Sequence, residues 1–242
     1  MKKGRFIVCG SHNGDIRDVP SRALEVLRNI EYVFCQDFES FSYIMKYHNM
    51  QPPPFLQEIT ESNPTGNRKV LNKMEEILKI LESGKDVAFI SQYGMPGFAG
   101  PGTNIVGLMH EKNIKVVIIP GSDVVGISLA AAGMNTSATT VIFDEFMDKP
   151  EEVIREKMSQ LARINAVTVL IDFAERMPNL IRIAEDTFGG DRFAALCSKI
   201  TLDEQKVIRG KLSTLISKVA DPEIFVFSSL VISSEESSIS NT

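Results

Sequence analysis

The feature that most constrains this chain is an alternation, kept from one end to the other, of short β-rich runs with segments of helical periodicity. It opens with Arg5-Phe-Ile-Val-Cys9, followed by Pro20-Ser-Arg-Ala-Leu-Glu-Val-Leu-Arg28. Further runs rich in Val, Ile and Phe are Tyr32–Cys35, Asp86–Ser91, Lys115–Pro120, Thr140–Phe146, Thr168–Phe173, Arg192–Cys197 and Ile224–Ile232. Such alternation predicts an α/β fold. The runs do not alternate strictly between apolar and polar residues, so their strands are expected to be buried on both faces. Asn67–Ser83 supplies a covering helix: Val70, Met74, Ile77, Leu78 and Leu81 recur at i, i+4, i+7, i+8 and i+11, and Gly84 stops it. Ser122–Ala132 and Glu151–Arg163 read as helices too, and Pro20 is expected at an early position of the first helix.

A length of 242 residues allows one large domain or two. The small, polar stretch Gly133–Ala138 marks the boundary, giving an N-terminal α/β domain over 1–134 and a C-terminal one over 135–233. The last residues, Ile232 to Thr242, are too poor in apolar side chains to offset ordering entropy, and a disordered tail is expected over 234–242. Gln51-Pro-Pro-Pro54 through Asn63-Pro-Thr-Gly66 reads as a surface loop, either a plain connector or a cover over a site.

Several classes are disfavoured. With 26 Lys+Arg against 31 Asp+Glu, a net charge of −5 argues against attachment to nucleic acid by charge alone, though a local basic patch remains open. Cys9, Cys35 and Cys197 are odd in number and far apart, and each reads as a buried strand residue. Three scattered histidines and no clustered acids give no metal site, with His48 and His110 expected on the surface. No apolar run is long enough for a membrane span, no signal peptide is visible, and the expected location is the cytoplasm.

Three glycine-bearing turns each follow an expected strand, where open α/β sheets place ligands. The first is Cys9-Gly-Ser-His-Asn-Gly-Asp15, which spells neither GxGxxG nor a Walker A loop. The second, Ser91-Gln-Tyr-Gly94-Met-Pro96-Gly97-Phe-Ala-Gly100-Pro101-Gly102, packs more glycine and proline than a connection needs, so that main-chain groups can meet a ligand closely. The third, Pro120-Gly121-Ser122-Asp123-Val124, leads into a helix that Ser122 or Asp123 can cap.

In this order and at these distances the turns resemble those of the tetrapyrrole methylase family of S-adenosylmethionine-dependent methyltransferases, above all its branch acting on small-subunit ribosomal RNA. That branch reads T-P-I-G-N-L-x-D-I-T, matched here by Gly14, Ile16 and Asp18 within Ser11–Pro20. Its S-D-A-G-T-P-x-x-x-D-P-G is echoed by Ser91–Gly102, and its P-G-P-S-A by Pro120–Val124. Late in the chain, Lys199-Ile-Thr201-Leu-Asp-Glu-Gln205 through Gly210 parallels E-L-T-K-x-x-E-x-x-x-x-G. The chain departs from the branch where E-D-T-R becomes Gln36-Asp37-Phe38-Glu39, where Gln92 replaces the acid of the second loop, and where Leu202 replaces Lys. Thr201, Gln205, Lys206, Gly210 and Leu212 sit nearer the porphyrin and corrin pattern T-x-x-x-Q-R with a later G-T-L.

The resemblance implies two α/β domains with S-adenosylmethionine in a cleft between them, and a homodimer. By position it assigns to the cofactor Ser11, His12, Asn13 and Gly14 from the first turn, then Tyr93, Gly94, Met95, Pro96 and Phe98 from the second. It adds Ser122, Asp123 and Val124 from the third, and Asp172 and Phe173 after a later strand. It implies transfer to a ribose 2′-hydroxyl of ribosomal RNA, for which Asp37 is the first choice of base, followed by Asp18 and Glu39. Alternatives are a tetrapyrrole, another small molecule or a peptide as acceptor, or a non-catalytic subunit that keeps the cofactor pocket.

Overall fold

The computed structural model describes residues 2–60, 68–97, 102–136, 140–219 and 227–235. The chain divides into two units, Met1–Asp123 and Val124–Thr242. The first is built on β1 (Arg5–Cys9), β2 (Tyr32–Cys35), β3 (Phe55–Glu58), β4 (Val87–Ile90) and β5 (Lys115–Ile119), in the order β3-β2-β4-β1-β5. Every pairing in it is parallel, with Ile7 opposite Ala88 on one side and Val117 on the other. The expected burial on both faces holds at the centre of the sheet: Phe6, Val8, Phe34, Val87 and Phe89 meet α3 (Arg68–Glu82) and α4 (Gly102–Glu111), which bring Val70, Met74, Ile77, Ile105 and Met109. Ile7, Cys9, Val33, Cys35, Ala88 and Ile90 form the opposite core with α1 (Ser21–Asn29) and α2 (Phe38–Tyr47).

This arrangement fixes where a ligand can approach. The connection leaving β4 runs through α4 on one face, whereas those leaving β1 and β2 run through α1 and α2 on the other. Adjacent strands whose connections part to opposite faces leave a crevice at their carboxyl ends.

The second unit carries β6 (Thr140–Glu145), β7 (Ala166–Asp172), β8 (Phe193–Ser198), β9 (Lys206–Lys211) and β10 (Ser228–Ile232), in the order β6-β7-β10-β8-β9. Only β6 and β7 pair in parallel; the other ladders are antiparallel. One face packs α6 (Glu151–Leu161), α7 (Met177–Phe188) and α8 (Leu212–Leu215) through Ile154, Met158, Leu180, Ile183 and Leu212. The other face, with Val167, Val169, Ala195, Cys197 and Val231, packs α5 (Val124–Ala132) through Val125, Leu129 and Ala132. All three cysteines are free and buried in strands, and burial pushes the thiols of Cys9 and Cys35 up to about 12 and that of Cys197 to about 11.

The structure corrects several expectations. The division falls at Asp123/Val124 rather than after 134, because α5 buries its apolar side on the second sheet. The Pro-rich segment is not all loop: Phe55–Glu58 forms β3 beside β2. Its part over 61–66 lies outside the described residues, as do residues 224–226 of the last expected strand. Residues 232–235 are held in place, contrary to the expectation for this stretch: Ile232 is in β10, Ser233 N–H donates to Phe193 O at 2.9 Å, Ser234 is buried and Glu235 N–H donates to Asn165 Oδ1 at 2.8 Å. Residues 236–242 lie outside the described residues. Pro20 occupies the N-cap of α1 instead of a helical position. His48 is half-buried, with Nε2 3.1 Å from Ile16 O, whereas His110 is exposed as expected.

Candidate active site

The three glycine turns leave the same end of the first sheet and are bonded into one body. Gly10 N–H donates to Ile119 O at 2.9 Å, tying the first turn to the end of β5. Ser11 N–H donates to Gly94 O at 2.7 Å, and Gly94 N–H returns to His12 O at 2.8 Å, so the first and second turns exchange a reciprocal pair. Ser91 Oγ also donates to Gly94 O, at 2.8 Å. Asn13 Nδ2 donates to Ser122 Oγ at 3.2 Å, and that hydroxyl donates to Ser11 O at 3.2 Å, joining the third turn. Gly121 N–H points at Met95 Sδ, 3.2 Å away.

Glycine is required at two of these places for different reasons. A Cβ on Gly10 would lie 2.4 Å from Gly121 N, backbone against backbone, so no side chain fits. Gly94 has φ +59°, a left-handed conformation, and a Cβ there would also crowd the Asn13 amide at 2.8 Å.

The lock leaves particular groups at its surface. Ser11 Oγ is buried and has no hydrogen-bond partner among the described residues. The His12 ring is buried and meets the Tyr93 ring edge-on, centroids 5.9 Å apart, with Nδ1 3.0 Å from Gly14 O. Burial pushes the His12 imidazole below its ordinary range, opposed by the Gly14 carbonyl and the charges of Asp18 and Asp15. Burial raises the Tyr93 phenol, and the nearby Asp37 charge adds to this. Asp15 caps the short helical turn Ile16–Asp18 and is chelated by Arg17, whose hydrogen bonds draw its carboxyl down to about 2.

The carboxylates separate by environment. Asp37 is the N-cap of α2, its Oδ1 accepting from Ser40 N–H at 2.7 Å, while Oδ2 has no partner among the described residues. Gln36, just before it, accepts from Gln92 N–H at 3.2 Å, so the β4 turn is held from the β2 side as well. Glu39 is exposed in the first turn of α2, and Asp18 is exposed at the end of the 3₁₀ turn.

Thus the structure gathers Ser11, His12, Asn13, Gly14, Tyr93, Gly94, Met95 and Ser122 in one cluster, with Asp37 beside it; Pro96 is buried beneath it, under the start of α4. Asp123 ends the first unit and Val124 begins α5 in the second. Asp172 and Phe173 also belong to the second unit, at the end of β7. There Asp172 Oδ1 accepts from Phe173 N–H at 2.8 Å, burial raises its carboxyl, and the Phe173 ring stacks on Phe227 at 5.8 Å. Phe98 lies outside the described residues. Sequence reasoning missed Ser40, Gln36 and Gln92 as mutually bonded partners, and His48 as a tie from α2 to Ile16 O. The departures at 36 and 92 were the signal for the first group.

Among the described residues no group of His, Cys, Asp and Glu is arranged to hold a metal ion, and no helix is long and apolar enough to cross a membrane.

Comparison with known proteins bears on the family and the fold. The chain is 28% identical over 214 residues to a Thermotoga maritima protein named ribosomal RNA small subunit methyltransferase I, covering 88% of this chain and 91% of that one. A Mycoplasmopsis pulmonis protein of the same name is 23% identical, covering 90% and 92%. Among solved structures, a diphthine synthase superposes with TM-score 0.66 at 17% identity over 94% of this chain and 89% of that one. Methyltransferase CobJ gives 0.64 at 16% over 96% and 95%. Uroporphyrin-III C-methyl transferase from Thermus thermophilus, complexed with S-adenyl homocysteine, gives 0.56 at 14% over 95% and 97%. The family model described as Tetrapyrrole (Corrin/Porphyrin) Methylases matches residues 6–216, and the chain belongs to that family.

Proposed function

We propose that the chain is an S-adenosylmethionine-dependent methyltransferase that modifies a ribose 2′-hydroxyl of small-subunit ribosomal RNA, working in the cytoplasm as a homodimer. The observation that carries the acceptor is the similarity to proteins named ribosomal RNA small subunit methyltransferase I, which runs along nearly the full length of both chains.

The first unit's residues fit the methyl donor. Ser11 offers an unpartnered buried hydroxyl, Asn13 and Ser122 add polar atoms, and the close approach of Gly10 to Gly121 keeps side chains away from the backbone there. Tyr93 and Met95 bring an aromatic face and a thioether, which tolerate a cationic sulfur without a charged clamp. When bound, the cofactor supplies a methyl group on a sulfonium, electrophilic enough for direct transfer. What remains for the protein is to hold the acceptor oxygen in line, exclude water and take its proton. Asp37 is suited to taking the proton, because one oxygen is occupied by the helix cap, which fixes the side chain, and the other is available to a hydroxyl.

A second reading, a tetrapyrrole acceptor, is favoured by the late Thr201–Leu212 segment, where Thr201 N–H donates to Gln205 Oε1 at 3.1 Å.

The test begins with calorimetric titration by S-adenosylmethionine and S-adenosylhomocysteine, followed by transfer of labelled methyl to 30S subunits, bare ribosomal RNA and tetrapyrroles. Label in RNA that survives alkaline hydrolysis as a resistant dinucleotide identifies 2′-O-methylation. Label in a tetrapyrrole alone moves the chain to the second reading, and binding without transfer to any acceptor makes it a non-catalytic subunit. Binding of neither cofactor by folded protein refutes the proposal. Light scattering of the eluting protein checks the dimer.

A further inference from the structure

Two amide side chains at the crevice between β2 and β4 point to how the acceptor is recognised, an inference that rests on the RNA reading above. Gln36 follows β2 and Gln92 follows β4, and these strands pair side by side in parallel, so both glutamines leave the same end of the sheet. Gln92 N–H donates to Gln36 Oε1 at 3.2 Å, which turns the Gln36 oxygen inward and leaves its NH2 with no partner among the described residues. Gln92 Nε2 donates to Ser40 Oγ at 3.3 Å, leaving Gln92 Oε1 with no partner among the described residues. Ser40 is itself anchored, its N–H bonded to Asp37 Oδ1 at 2.7 Å. A donor and an acceptor, each held by its own bond to a fixed element, therefore stand on neighbouring loops. Beside them Phe38 is 50% exposed and Tyr93 37% exposed, with the Tyr93 ring reaching the first turn through His12.

We propose that Gln36 and Gln92 read the hydrogen-bonding edge of an unstacked nucleobase next to the methylated ribose. Gln36 donates to a ring nitrogen or carbonyl and Gln92 accepts from an exocyclic amine or ring N–H, with Phe38 and Tyr93 giving the base aromatic faces. A paired donor and acceptor is the complement of an amide or amidine edge, which single-stranded RNA presents and a duplex hides. The family pattern has acids at both positions. Two carboxylates can only accept, whereas two amides both donate and accept.

Gln36→Glu keeps the acceptor for Gln92 N–H but deletes the free donor, and Gln92→Met deletes the free acceptor together with the part-buried bond to Ser40 Oγ, at similar volume. Each is expected to raise KM for the RNA about tenfold, a larger change than in kcat, while the S-adenosylhomocysteine Kd and the melting temperature stay at parent values. The double variant is expected to lose less than the product of the two singles, because one base edge needs both. An unchanged KM in both variants, with an active parent, overturns this inference alone. Loss of cofactor binding or early melting in both also overturns it, by making the pair structural. A parent that transfers no methyl to RNA removes the RNA reading and this inference together.

Discussion

Gly10→Ala tests the interlocked turns by steric means alone, because the backbone at Gly10 does not have the positive φ that would add strain of its own. The added Cβ would lie 2.4 Å from Gly121 N, 2.5 Å from Gly121 Cα and 2.9 Å from Met95 Sδ. Bringing these to ordinary contact requires the two backbones to part by about 1 Å, and main-chain segments that directly continue two paired strands do not part easily. That movement breaks the 2.9 Å bond from Gly10 N–H to Ile119 O and the 3.2 Å contact from Gly121 N–H to Met95 Sδ. Overpacking costs about 1–3 kcal/mol and the lost backbone bond about 1 kcal/mol, so the first unit is expected to lose about 2–4 kcal/mol. At about 2–4 °C per kcal/mol this is a fall of roughly 5–15 °C in its thermal transition. Gly107→Ala provides the control of opposite sign: nothing lies within 4 Å of its Cβ position, and in α4 alanine gains about 0.5–1 kcal/mol over glycine. Thermal and urea unfolding followed by circular dichroism, with the two units allowed separate transitions, measures both. A Gly10→Ala protein that melts with the parent, and still binds S-adenosylhomocysteine as tightly, would refute the interlock.

The remaining predictions concern single groups. Asp37→Asn keeps a good N-cap for α2, so stability should change by only a few tenths of a kcal/mol while turnover falls roughly 100-fold; Asp37→Ala should lose about 1 kcal/mol as well. Undiminished turnover in Asp37→Asn would remove Asp37 as the base. Ser11→Ala deletes a buried hydroxyl that lacks a partner, so the ligand-free protein should hold its stability or gain about 1 kcal/mol while the cofactor Kd rises roughly tenfold; a clear loss of stability would show the hydroxyl to be structural. His12 titrates below its ordinary range because it is buried, so the unfolded chain takes up its proton at higher pH than the folded one. Its contribution is therefore complete above about pH 6.5 and is lost as the pH falls toward the folded value; the urea midpoint should show this slope in the parent and not in His12→Gln.

Much of the fold was legible because strands buried on both faces must be written in nearly continuous apolar residues. Phe6–Cys9, Val33–Cys35, Val87–Ile90 and Val167–Asp172 are buried throughout. The turns were legible for a related reason: Gly10 and Gly121 mark a place where main chain meets main chain, and Gly94 a left-handed turn, positions that other residues do not readily occupy. By contrast, β3 is only half-buried throughout and β9 mixes half-buried with exposed residues, both at sheet edges, so their apolar signal is weak. The helix α5 is apolar all round, and its sequence does not say which sheet it covers.

By itself the sequence determined the α/β class, the helix stripes, the three turns after strands and the residue types available for a small polar ligand, because each is written in local period or in single residues with one permitted conformation. Only the tertiary structure decided the strand order β3-β2-β4-β1-β5, the assignment of α5 to the second unit, the orphaning of Ser11 Oγ and the use of Asp37 as a cap. It also decided that Gln36 and Gln92, distant in sequence, bond to each other. Those outcomes depend on which segments become neighbours across the sheet, and a pairing between distant segments is set by the total packing of the unit, not by either segment alone.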